Sequence, residues 1–122
     1  MIYTICDLLP ISQYQYLSKN KRYVSKRGKE WSKEICSQLL KQKEENKWEM
    51  LESENIECEI LFYFNNRRKN DLDNACKYIL DKLSDCKIIK EDRYITKLVL
   101  EKEYKKINKE RIIIKLKDRD IK

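Results

Sequence analysis

Between positions 67 and 92 the chain gathers the residue types that phosphodiester chemistry uses. Arg67, Arg68 and Lys69 run straight into Asp71 and Asp73, and Lys77, Asp81 and the acidic pair Glu91-Asp92 follow. Cations suited to a phosphate backbone therefore stand beside oxygen ligands suited to a hard ion such as Mg²⁺. Metal-assisted hydrolysis needs both within a few ångströms. The spacing makes a geometric demand, because residues i and i+2 of a regular helix point about 200° apart and cannot share a metal. A helix must start between the two aspartates, with Asp71 at its N-cap and Asp73 in its first turn. Lys77 then sits one turn beyond Asp73, and Asp81 and Asp85 extend the same row. The bland reading stays open: aspartates suit a helix N-terminus, and Asp73, Lys77 and Asp81 also make an ordinary i,i+4 ladder. A calcium loop is excluded, since Ala75, Cys76 and Lys82 stand where an oxygen ligand, a glycine and a glutamate are required.

Histidine is absent altogether. That removes the commonest general base near neutral pH and the commonest zinc ligand. Catalysis here must rest on carboxylates, lysine, thiols, tyrosine or a bound metal. The five cysteines, Cys6, Cys36, Cys58, Cys76 and Cys86, show no close pair and an odd total, so reduced thiols are expected, packed as small core residues.

The run Arg-Arg-Lys-Asn-Asp-Leu-Asp-Asn, with Lys77, Asp81 and Glu91-Asp92 beyond it, resembles the signature of the RusA-type Holliday-junction resolvases. Glu91 stands where that family usually has aspartate. The resemblance implies a metal-dependent endodeoxyribonuclease that acts on four-way junctions and related branched DNA in recombination and repair. It further implies Mg²⁺ held by Asp71, Asp73 and Asp92, Lys77 as a further catalytic residue, a homodimer, and a phage or prophage setting. A different class of function, a basic DNA-binding protein whose acidic residues merely cap a helix, would carry the same charge pattern.

The elements that must position these residues follow from periodicity. Residues 2–5 are rich in β-formers and read as a first strand, ended by Asp7 and Pro10. Residues 12–27 keep no period and read as a long working loop, with Lys19, Lys21, Arg22, Lys26 and Arg27 set around Tyr14, Tyr16 and Tyr23. With Lys29 and the run Arg67, Arg68 and Lys69, these are the candidate DNA-binding residues; the tyrosines can stack on unpaired bases. After the only glycine, Gly28, Trp31, Ile35 and Leu39 recur every four residues as on an amphipathic helix. Trp31 and Trp48 read as core or interface anchors. Residues 56–64 alternate as a strand. Leu72, Ala75, Cys76, Ile79, Leu80 and Leu83 make the clearest helix. Residues 94–104 and 111–117 read as two strands, paired as a hairpin turning near 106–109.

The expectation is one α+β domain over residues 1–122, in β-α-β-α-β-β order, with both helices on one face of a mixed sheet. The chain has 122 residues, 41% hydrophobic and 40% charged, with a net charge of +7. That is enough apolar material for one core beneath an ionic surface, and the charge asks for an anionic partner. A peripheral membrane role is disfavoured, because no helix combines a basic face with a broad apolar one. Met1 to Cys6 lacks the basic start and long apolar run of a signal peptide, so the expected location is the cytoplasm. Neither a nucleotide cofactor nor a membrane partner is expected.

Overall fold

Strict alternation over Ile56–Phe64 makes this segment, β2, the axis of the sheet: Ile56, Cys58, Ile60, Phe62 and Phe64 are buried and the residues between them only partly so. In the computed structural model, residues 2–8, 10–20, 23–64, 72–104 and 110–120 are described, with all their side chains except those of residues 13, 14 and 72–74. The described elements are β1 (Ile2–Leu8), α1 (Gln13–Tyr16), α2 (Lys26–Glu45), β2, α3 (Leu72–Asp85), a 3-10 turn (Asp92–Tyr94), β3 (Ile95–Tyr104) and β4 (Arg111–Asp118). The sheet is mixed, with strand order β1-β4-β2-β3. Tyr3, Ile5 and Leu8 of β1, the even residues of β2, and Ile112, Ile114 and Leu116 of β4 join Trp31, Ile35 and Leu39 of α2 and Cys76, Ile79 and Leu83 of α3 in one core. Both long helices therefore cover the same face.

Three local expectations change. The strands β3 and β4 do not form a hairpin. Instead, β3 runs parallel to β2 at the edge, and β4 lies antiparallel between β2 and β1. A parallel neighbour of β2 needs a long crossover, which α3 and the turn after it supply, and β3, exposed along most of its length, suits an edge better than the centre. The turn placed near 106–109 lies outside the described residues. The first strand does not stop at Asp7; it continues to Leu8 through a register shift, with Asp7 in left-handed backbone (φ 61°) and its carboxylate 3.3 Å from Arg111.

The third change concerns the cysteines. Cys36 of α2 and Cys86, just past α3, are joined as a disulfide with a Cα–Cα distance of 6.1 Å, while Cys6, Cys58 and Cys76 are free. The pairing spans 50 residues and depends on how α2 packs against α3, which spacing along the chain does not reveal. Cys58 and Cys76 are core residues as expected, and burial pushes the Cys58 thiol up to about 12.

Candidate active site

The segment expected to be a long working loop carries local structure in its described residues. Leu17 bridges Val24, and Ser18 N donates to Tyr23 O (2.7 Å), so a small hairpin rises after α1. Ser25 ties its base to α2: its hydroxyl caps the helix by accepting from Gly28 N (2.9 Å), and it also donates to the Gln15 carbonyl. Gly28 has to be glycine, because a Cβ there would meet the Tyr16 carbonyl oxygen and lie 2.8 Å from Val24 Cγ1. The tyrosines part company. Tyr16 is buried, stacked on Tyr78 of α3 (3.9 Å between ring centroids) and edge-on to Trp31, whereas Tyr23 on the hairpin is 69% exposed. Lys19, Lys26, Arg27 and Lys29 are exposed on this hairpin and the first turns of α2. Trp31 and Trp48 serve as packing anchors, Trp48 stacking on Tyr3 at 4.7 Å.

The return of the chain to α3 is equally specified. α3 closes with Lys87 in left-handed backbone (φ 57°), Lys87 N bonded to Ser84 O (3.1 Å) and Ile88 N to Leu83 O (3.0 Å). This is the paired pattern that ends a helix and turns the chain sharply. Leu51, just before β2, then takes up the returning strand: its N–H donates to Ile88 O (2.9 Å) and its carbonyl accepts from Lys90 N (3.2 Å). Ile88 and Ile89 are buried. The 3-10 turn that carries Asp92 is thus laid against α3.

There, Asp92 lines an open cavity of about 420 Å³ with Asp81 and Asp85 of α3; Tyr16, Lys82, Ser84, Glu91 and Arg93 complete the wall. Burial, then the Asp92 and Asp85 charges, hold the Asp81 carboxyl above the usual range, with Lys77 and Lys82 working the other way. Burial also raises the Tyr78 hydroxyl, with Tyr16 and Asp81 adding to it. Glu91 and Asp92 have different surroundings. Glu91 accepts from Arg93 Nε at 2.7 Å, whereas no described hydrogen bond or ion pair engages the Asp92 side chain. Arg93 also donates from Nη2 to the Tyr94 hydroxyl (2.9 Å) and lies 4.9 Å from the Tyr94 ring centroid. Lys82 is 3.2 Å from Asp85.

The other sequence-predicted residues are placed as follows. Lys77 is exposed on α3, one turn before Asp81. Asp73 lies in the first turn of α3, its side chain outside the description; Asp71, Arg67, Arg68, Lys69, Lys21 and Arg22 fall outside the described residues. Among the described residues no group of three or more acidic, cysteine or histidine side chains is disposed to hold a metal. Sequence reasoning left the roles of Asp81 and Glu91 open and did not single out Arg93. The only local signal for Arg93 is its place next to the acidic pair, which says nothing of the cavity it lines.

No described helix is long and apolar enough to cross a membrane. The family described as Endodeoxyribonuclease RusA matches the chain over residues 9–117. No curated protein matches it.

Proposed function

The chain belongs to the RusA endodeoxyribonuclease family, and from that premise we propose that it is a magnesium-dependent enzyme that resolves four-way DNA junctions in recombination and repair. The observation that carries this reading is the family match over residues 9–117, and the return of Asp92 to α3, where it lines an open cavity with Asp81 and Tyr16, is consistent with it. Asp71, Asp73 and Asp92 are the proposed metal ligands. The donor chemistry fits, because these are hard carboxylate oxygens of the kind that hold Mg²⁺. When bound, magnesium supplies polarisation of the phosphate and neutralises charge that develops in the transition state.

The protein's own residues do the rest. Lys77 contributes positive charge near the reacting phosphate. Lys19, Lys21, Arg22, Lys26, Arg27, Lys29, Arg67, Arg68 and Lys69 hold the backbone of the arms. Resolution requires two symmetric nicks, so the acting form is a homodimer with one site per subunit. The proposed setting is the cytoplasm, with the gene in a phage or prophage.

The test is incubation of a mobile and a fixed four-way junction with the protein in Mg²⁺ and, separately, in chelator. Paired nicks in Mg²⁺ alone are expected. Junction binding with no nicks under any divalent condition would instead leave a DNA-binding protein whose acidic residues cap a helix.

A further inference from the structure

The cavity that holds Asp92 is a poor place for a phosphate as its charges stand. Four carboxylates line it, from Asp81, Asp85, Glu91 and Asp92, against two cations, Lys82 and Arg93. Lys82 is committed: it is paired with Asp85, and its side chain is only 15% exposed. Arg93 is 70% exposed, and its guanidinium is fixed on two sides, Nε by Glu91 and Nη2 by the Tyr94 hydroxyl, with the Tyr94 ring beneath. Nη1 has no partner among the described residues. An ion pair this exposed adds little to folding stability. Its consequence is orientation: the planar donor fork is held in one pose before an anion arrives, so less side-chain entropy is lost on binding.

We propose that Arg93 is a phosphate-binding residue of the cleavage site, held by Glu91 and Tyr94 and offering Nη1 to a DNA phosphate beside Asp92, an inference that rests on the nuclease reading above. The two members of the acidic pair then have separate tasks. Asp92 remains for the metal, and Glu91 is a positioning residue for Arg93.

The experiment uses the full chain and a fixed four-way junction. Binding is measured in chelator across a range of salt, and single-turnover cleavage is measured in Mg²⁺. Arg93→Ala should reduce the slope of log affinity against log salt by about one, the loss of a single phosphate contact, and slow cleavage by about a hundred-fold. Arg93→Lys should keep the slope and lose most of the rate, because the charge stays while the fork is lost. Glu91→Gln should keep the slope and slow cleavage less than Arg93→Ala, a pattern that a purely structural Glu91 would not produce. If Arg93→Ala is unstable, Arg93→Gln gives the same reading. An unchanged slope or an unchanged rate on removing the Arg93 charge overturns the proposal. If the wild type binds junctions without cutting them, the nuclease reading falls, and the salt slope alone decides whether Arg93 binds phosphate.

Discussion

Asp92 and Asp81 show how two carboxylates in one cavity come to differ. Asp92 is exposed on the 3-10 turn, while Asp81 is partly buried and disfavoured as an anion by burial, by Asp92 and by Asp85. If Asp92 is a metal ligand with Asp71 and Asp73, each Asp→Asn change should lower single-turnover cleavage by about a thousand-fold or more. Junction affinity should hold or tighten, since a negative charge facing phosphate has gone. Gel-shift binding beside the cleavage assay separates the two effects. For Asp81 the sign follows from linkage. Its folded carboxyl keeps its proton to higher pH than an unfolded one, so the native state binds more protons in that window, and stability falls as pH rises through it. Asp81→Asn should therefore match the wild type in urea unfolding below the carboxylate range and gain modestly on it at neutral pH. A variant less stable than wild type at pH 7 would mean that the Lys77 and Lys82 attractions outweigh the repulsions.

At the scale of elements, the basic hairpin is only as well placed as the contact between α1 and the first turn of α2. Gly28 sets that contact. Gly28→Ala should cost about 1–3 kcal/mol through overpacking, read as a lower urea midpoint, and should weaken junction binding through Lys19, Lys26 and Arg27. The helix pair is tied in a second way by Cys36 and Cys86, which close a loop of 50 residues. Cys36→Ser should lower stability by about 2–4 kcal/mol under non-reducing conditions and by far less under dithiothreitol, as loop-closure entropy predicts. A thiol count on the unfolded, unreduced protein should give three, for Cys6, Cys58 and Cys76.

For the molecule as a whole, a net charge of +7 and a row of exposed cations predict junction binding that weakens steeply with salt. Resolution also predicts a dimer at micromolar concentration, by sedimentation or light scattering, with or without junction DNA. A monomer under both conditions, or binding indifferent to salt, would count against the proposed reaction.

Sequence alone determined the element order, the buried stripes of α2, β2 and α3, and the cluster of charged residues that led to the family. These properties repeat over a few residues or lie in one short motif, so local periodicity and spacing carry them. Tyr78 falls off the α3 stripe in the sequence, yet it is buried, and its ring stacks on Tyr16, sixty-odd residues away in the chain. Tertiary structure decided the place of β4 between β1 and β2, the pairing of Cys36 with Cys86, and the division between Asp92, open to the cavity, and Glu91, spent on Arg93. Each of these depends on which distant segments meet. A strand with apolar side chains on alternate positions can pair with any neighbour of matching face, and an acidic pair reads the same from either side, until the chain has turned at Lys87 and been caught by Leu51.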